Sequence, residues 1–520
     1  MLVKILICVA LIFYQSVYSA KILGLSPSVS KSHTFLAQAL FKKLAERGHE
    51  LTMVSSYPLK NPPANFRNIP MGDVKNKIFE LSGYTTNQQL LNFNKGHFTR
   101  IKKMYDFGYG QARLGLEDPQ VQTLIHSNET FDLVICTVFM NEAFFSLADH
   151  YKVPLIGFGV FGANEWTNNL VGNPNPYAIV PDLFLSYTEH MTFSERLVNT
   201  IVSIASGLWH NYVHLPRQEK LRQQFLPHTK PIWETLKDVS LVFLSSHPSL
   251  TDPRALVPNM IEIGGFHVDA PKSLPNDLQK TLDDAKDGVI YFSMGTNVVG
   301  KDLPESHRKA LLDAFSKLKQ TVLWKWEDDK LPGQPKNVKI SKWYPQADLL
   351  AHPNIKLFIT HGGLLSTTEA ISRGVPLIGI PVFADQSLNM AKAQTSGYGI
   401  MVDYYNVTFE SMNWALNEVL NNPKYTENVK LRSKVLNDRL VPPIEEAAYW
   451  VEYVLRHKGA PHLQSARKDL NIFQYLLLDI LGFILMVVIS ICLLIYFVAR
   501  KVANFFRKKG NHSRNEKKKQ

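Results

Sequence analysis

From Ile480 to Ala499 the sequence ILGFILMVVISICLLIYFVA carries no charged residue. A helix rises about 1.5 Å per residue and a bilayer core is ~30 Å thick, so a run of this length spans a membrane as one helix. Residues 500–520 follow with a net charge of +8, and basic flanks of this kind stay on the cytosolic side. The preceding body is therefore expected in the lumen, as a single-pass type I membrane protein. At the other end, Lys4, the apolar run Ile5–Phe13 and the small pair Ser19-Ala20 have the layout of a cleaved secretory signal covering residues 1–20. That run is too short to span.

The formal net charge of the whole chain is +12, which on its own invites a polyanionic partner. Residues 21–499, however, carry only +3. The surplus belongs to the membrane flank, and no nucleic-acid partner is expected. The final Lys517-Lys518-Lys519-Gln520 resembles a dilysine retrieval signal, pointing to the endoplasmic reticulum membrane. Sequons at Asn128 and Asn406 fall on the lumenal side, where they would be glycosylated, and the one at Asn511 falls in the cytosolic tail. Of three cysteines, Cys8 lies in the signal and Cys492 in the span, which leaves Cys136 without a disulfide partner and excludes metal sites built on cysteine pairs.

Through the body, strand-length apolar runs alternate with helical patterns, the signature of parallel sheets covered by helices. Lys21–Leu25, Glu50–Ser55, Phe131–Thr137 and Val153–Phe158 read as strands of a first half, with a helix over Phe35–Arg47 and another from near Glu142. The segment 268–276, with two prolines, reads as a linker. Beyond it, Gly288–Phe292, Thr321–Lys325, Val338–Ser341, Lys356–Thr360 and Pro376–Gly379 supply strands of a second half, with a helix from about Pro304. Two doubly wound domains, 21–267 and 277–460, are expected to face each other across a cleft, because ligands of such folds bind at the carboxyl ends of strands. Residues 461–479 form a membrane-proximal segment. The stretch Tyr187–Leu215 has a long helical pattern with an apolar face, suited either to core packing or to contact with a membrane or an apolar ligand.

The segment 343–386, WYPQADLLAHPNIKLFITHGGLLSTTEAISRGVPLIGIPVFADQ, carries the chemistry. The strand ending at Thr360 runs into His361-Gly362-Gly363, and a helix begins near Leu364. Glycines admit close backbone approach to an anion, and a helix N-terminus offers free N–H groups with about half a unit of positive charge. This is a diphosphate cradle. The flanking Trp343-Tyr-Pro-Gln346, Glu369 and Asp385-Gln386 stand at fixed distances from it over 44 residues. Together they resemble the donor signature of the UDP-glycosyltransferases, and signal, variable first half, donor half, span and basic tail resemble that family's membrane-bound animal branch, especially its invertebrate members.

The resemblance implies an α/β fold of GT-B type, with two Rossmann-like domains, and a UDP-sugar donor. By it, Trp343 would stack on the uracil and Gln346 would hold the nucleoside. His361, Gly363 and Ser366 would contact the diphosphate, with Ser293 and Thr296 approaching from the opposing turn; Glu369 would accept from the ribose hydroxyls, and Asp385 and Gln386 would bind the sugar. His33, just beyond the first strand, would be the catalytic base. The family's acid, which orients that histidine, falls here at Thr137, so Glu142 is the nearest candidate carboxylate. Phe158, Phe161 and Trp166 are candidates to line an acceptor site. No Asp-x-Asp pair stands where a divalent ion would bridge the diphosphate, so neither a metal nor a further cofactor is expected.

The expected reaction is inverting transfer of a hexose, glucose ahead of glucuronic acid, to a hydroxyl of a small lipophilic acceptor, as in conjugation of xenobiotics, hormones or pigments. A homo-oligomer is compatible with this reading. Loss of the acid at Thr137 prompts the alternative, a membrane protein of the same fold that binds UDP-sugar with weak turnover.

Overall fold

The computed structural model describes residues 19–81, 96–296 and 298–516. Most of the expected signal and the closing lysines therefore lie outside the described residues. The chain forms two compact units, Met1–Gln464 and Ser465–Gln520.

The larger unit contains two parallel sheets. The first has seven strands in the order β3-β2-β1-β4-β5-β6-β7, where β1 is Lys21–Ser26, β2 Glu50–Ser55, β3 Phe66–Pro70, β4 Leu133–Val138, β5 Leu155–Gly159, β6 Val239–Leu244 and β7 Met260–Glu262. The second has six in the order β10-β9-β8-β11-β12-β13, where β8 is Val289–Ser293, β9 Thr321–Lys325, β10 Val338–Ser341, β11 Ile355–Thr360, β12 Leu377–Gly379 and β13 Gly399–Met401. Central strands such as β4, β5, β6 and β8 are buried along their whole length, which is why they read as unbroken apolar runs rather than alternating ones. In each sheet the strand order reverses beside the first strand, at β1/β4 and β8/β11. The carboxyl ends at those reversals are the positions where such sheets bind ligands.

The helix Lys31–Glu46 crosses β1 with Phe41 pressed on the sheet, at a point where β1 carries Gly24. The helix Pro443–Arg456 follows the second sheet in sequence but packs back on the first. Its Ala447, Ala448, Val451 and Val454 join that sheet's core, and Arg47 holds Glu452 at 2.6 Å and Glu445 at 3.1 Å. The last helix of the unit thereby fastens one half to the other.

The stretch with the long helical pattern forms the helix Phe193–Trp209, a π-helical turn His210–His214 and the helix Leu215–Phe225. Its large apolar residues, Phe193, Leu197, Ile201, Ile204 and Leu208, are exposed. The face turned inward carries Asn199, Ser203, Ser206 and Gly207. The inward face approaches its neighbours closely: a Cβ on Gly207 would stand 2.4 Å from Glu165 Oε1, so a larger residue there would have to displace the Glu165 side chain. Core packing is therefore not the role of the apolar face.

In the second unit the helix Leu478–Glu516 contains the expected span, and its stretch Leu478–Lys508 is long and apolar enough to cross a membrane.

A Cβ at Gly24 would lie 2.4 Å from the Phe41 ring. Gly24→Val is expected to destabilise the larger unit by about 1–3 kcal/mol, the usual cost of overpacking, read as a lower melting temperature in detergent. The companion Gly24→Val/Phe41→Leu should recover part of the loss.

Candidate active site

The carboxyl ends of both sheets open on one cavity of about 400 Å³. From the first sheet, the loop after β1 brings Ser28, Val29, Ser30 and Ser32 to its wall and places His33 in the first turn of the helix Lys31–Glu46. Two distant side chains hold this loop: Gln111 Oε1 accepts from Val29 N at 2.9 Å, and Tyr57 donates its hydroxyl to Val29 O at 2.9 Å. His33 Nδ1 lies 3.3 Å from Ser28 Oγ. The edges and faces of Phe139 and Phe161 enclose its ring, with centroids at 5.1 and 5.5 Å. Desolvation by these neighbours pushes the imidazole down to about 4, so it is neutral at working pH.

From the second sheet, β11 ends in the turn His361-Gly362-Gly363, and the helix Leu364–Arg373 starts at once. Gly362 has φ +83°, and a Cβ there would strike Met390 at 2.6 Å, so both conformation and space demand glycine. Asn389 Nδ2 fixes the turn by donating to Gly362 O at 3.0 Å. Gly363 is the N-cap and brings no side chain to the first turn; Gly363, Leu364, Leu365 and Ser366 line the cavity. Across from them stand Ser293, at the end of β8, and Thr296. Burial, reinforced by the Lys325 charge, lowers His361 to about 4.

Gln346 ties two neighbouring groups together, donating to Ser366 Oγ at 3.0 Å and to Glu369 Oε2 at 2.7 Å. Burial raises the Glu369 carboxyl to about 7, against the opposing pull of the Gln346 hydrogen bond and the Arg373 charge. Burial likewise raises Asp385 to about 6, although Asn389 donates to it at 2.7 Å. Gln386 Oε1 accepts from Val382 N and Phe383 N, which fixes the Pro-Val-Phe-Ala loop before Asp385. Trp343 is 60% exposed at the rim. The opposite wall is apolar, built from Phe35, Met104, Phe107, Phe139, Val160 and Phe161.

One cavity thus gathers His33, Ser293, Thr296, Trp343, Gln346, His361, Gly363, Ser366, Glu369, Asp385 and Gln386. Glu142 is not among them. It sits in the 3-10 turn Glu142–Phe145 and bonds His214 Nε2 at 2.9 Å, while His33 has Ser28 beside its Nδ1. The backbone after β4 turns Glu142 away from the cavity, and Phe139 takes the place beside His33. Phe161 lines the cavity as expected, whereas Phe158 packs on Phe266 in the core and Trp166 donates to the Tyr105 hydroxyl. Residues not read from the sequence are Ser28, Gln111 and Asn389, whose roles come from distant contacts, and Lys325, which donates to Gly295 O at 3.0 Å and Glu327 at 2.8 Å on the cavity wall.

The family model "UDP-glucoronosyl and UDP-glucosyl transferase" matches residues 20–513. The chain belongs to this family. It is 35% identical over 494 residues to UDP-glycosyltransferase UGT5 of Dactylopius coccus, covering 93% of this chain and 92% of that one. It is 32% identical to 2-hydroxyacylsphingosine 1-beta-galactosyltransferase of Rattus norvegicus, over 94% and 89% of the two chains. Its fold is similar to the calicheamicin glycosyltransferase CalG4, with a TM-score of 0.57 and 18% identity over 84% of this chain and 99% of that one. It also resembles UDP-glucose: anthocyanidin 3-O-glucosyltransferase solved with UDP, at 0.57 and 17% over the same shares. The fold is therefore GT-B, and the protein is a UDP-glycosyltransferase that takes its sugar from a UDP-sugar.

Because its folded value of about 7 lies above the ordinary carboxyl range, Glu369 favours the folded state when protonated and loses that contribution as pH rises toward and through 7. Glu369→Gln, without ligand, should therefore melt a few degrees above wild type at pH 8 and close to it at pH 4.5, measured by scanning fluorimetry.

Proposed function

We propose that the transferase moves glucose from UDP-glucose, with inversion, to a hydroxyl of a small lipophilic acceptor. The observation that carries this reading is the joining, in one cavity, of a neutral imidazole set in an apolar wall and a glycine-edged helix N-terminus on the opposing sheet.

In this mechanism His33 Nδ1–H donates to Ser28 Oγ, whose other lone pair takes the N–H of Ser30 at 3.1 Å. The lone pair of Nε2 is then directed to the acceptor hydroxyl and takes its proton as the oxygen attacks the anomeric carbon. The bond from that carbon to the diphosphate oxygen breaks on the far side, giving a β-glycoside and UDP. Negative charge growing on the diphosphate meets the N–H groups at the start of the helix Leu364–Arg373 and His361, with Ser293 and Thr296 opposite. Trp343 stacks on the uracil, Gln346 orients Glu369 toward the ribose hydroxyls, and Asp385 and Gln386 hold the sugar. With Thr137 in place of an acid, Ser28 rather than a carboxylate orients the base.

Charge on the cavity wall favours a neutral hexose. Among the described residues, Asp348, Glu369 and Asp385 line the cavity with a single lysine, Lys325, which donates to Glu327. A uronic acid carboxylate would be set against these acids with no cation of its own. The Phe35, Met104, Phe107 and Phe161 wall suits a flat apolar acceptor without charge. Asn128 and Asn406 are exposed, consistent with glycans on a lumenal body, and we place the transferase in the endoplasmic reticulum membrane with its tail in the cytosol.

Membranes containing the protein should transfer glucose from UDP-glucose to a panel of simple phenols and transfer little glucuronic acid from UDP-glucuronate. His33→Ala should lower kcat by about 10²–10⁴, the usual share of a general base, with UDP affinity retained. Turnover unchanged in His33→Ala would remove the histidine from the mechanism, and faster transfer from UDP-glucuronate would overturn the donor assignment.

A further inference from the structure

Outside the catalytic cavity, the structure brings together one carboxylate and two imidazoles from elements far apart in sequence. Glu142 Oε2 lies 2.9 Å from His214 Nε2, and Glu142 Oε1 lies 3.9 Å from His210 Nε2. The three possible ligand atoms all fall within 4.8 Å of one another. Exposures are 5% for Glu142, 6% for His210 and 0% for His214. The π-helical turn His210–His214 puts both rings on one side of the chain, stacked with centroids 5.6 Å apart.

Both rings turn Nε2 inward to the carboxylate, and both Nδ1 atoms are buried without a hydrogen-bond partner. Among the described residues no lysine or arginine pairs with Glu142, so the carboxylate's only nearby basic groups are these two imidazoles. A buried carboxylate needs a matching positive charge. Two histidines four apart on a helical backbone, with a carboxylate from a second element, are a donor set suited to a borderline divalent cation. Zinc bonds of about 2.0–2.2 Å set tetrahedral ligand atoms roughly 3.3 Å apart, a spacing bracketed by the two distances here. Glu142, His210 and His214 would supply three protein donors to the ion.

We propose that Glu142, His210 and His214 form a site for one zinc ion. The ion would pin the turn after β4 to the segment His210–Phe225. Gln218 already bridges the same two parts, donating to Met140 O at 2.8 Å and accepting from Ala143 N at 3.1 Å. That turn presents Phe139 to the His33 ring, so the ion would hold the wall of the active site without taking part in transfer. This inference does not depend on the donor or acceptor assigned above.

The test is metal analysis of the full chain, purified in detergent and passed through gel filtration. One zinc per chain is expected. Removing it with dipicolinate should lower the melting temperature, zinc should restore it, and cobalt in its place should give visible d–d absorption. His210→Ala should lose the metal. His150→Ala, at the surface pair where His150 Nδ1 meets His228 Nε2 at 2.7 Å, should retain it. If His210→Ala does not fold, the wild-type stoichiometry, melting shift and cobalt spectrum still decide. Substoichiometric metal with no melting response to zinc would overturn the proposal and leave the cluster as a metal-free Glu142–His214 contact. Zinc kept by His210→Ala and lost from His150→Ala would overturn it in favour of the surface pair.

Discussion

The active site depends on a backbone turn with nothing attached to it. Between Thr360 and Leu364 the chain must leave a buried strand, reverse, and begin a helix while keeping its N–H groups available to the cavity. Gly362 supplies the left-handed conformation and clears Met390, and Gly363 caps the helix without filling the space in front of it. A side chain at Gly362 would strike Met390, and one at Gly363 would press on the His361 ring, so either would disturb the turn that faces the cavity. The acids behind the turn are then set by burial. Glu369 and Asp385 are held above their ordinary values in the ligand-free cavity. Polar groups are kept there at some expense in stability, as is common where a ligand's hydroxyls will supply the missing partners.

The second requirement is that an opposing element reach the same point from the other sheet. His33 stands on the first turn of a helix whose outer end is tied by Arg47 to Glu452 and Glu445 of the last helix in the unit. The helix carrying His33 is thus clamped by a segment that follows the second sheet in sequence. The loop ahead of it is fixed by Gln111 and Tyr57. Ser28, rather than an acid, lies beside Nδ1 of His33, and burial among the apolar rings keeps the imidazole neutral. Basicity is modest in such a setting, so in the proposed mechanism proton transfer to His33 would draw its help from orientation and from departure of the diphosphate.

The gathering of Trp343, Gln346, His361, Gly363, Ser366, Glu369, Asp385 and Gln386 in one cavity is legible in the sequence because they lie within one continuous stretch, where spacing maps directly onto strand, turn and helix. The alternation of apolar runs likewise gave the parallel α/β class, and β2, β9 and β10 fall on the expected residues. Glu142 was misplaced for a reason of the opposite kind. It is near the first sheet's strand ends in sequence, but its partners His210 and His214 arrive from a distant helical segment, and the positive φ of Met140 redirects the intervening turn. Phe158 and Trp166 could not be told from cavity-lining residues, since apolar side chains in the core and at an apolar ligand site have the same composition. The exposed stripe from Phe193 to Leu208 shows the limit of periodicity: it identifies a helix and its two faces, while the small residues on the other face, through close packing, decide which one is buried.

The central claim is that a desolvated, neutral His33 takes the proton from the acceptor. The pH dependence of kcat/KM for a phenol acceptor, at saturating UDP-glucose, tests it most directly. The account predicts an acid limb well below 6.5, toward the value of about 4 that burial imposes on His33, and absent in a His33→Ala variant with residual turnover. An acid limb at 6.5 or above, or one that persists without His33, would contradict it.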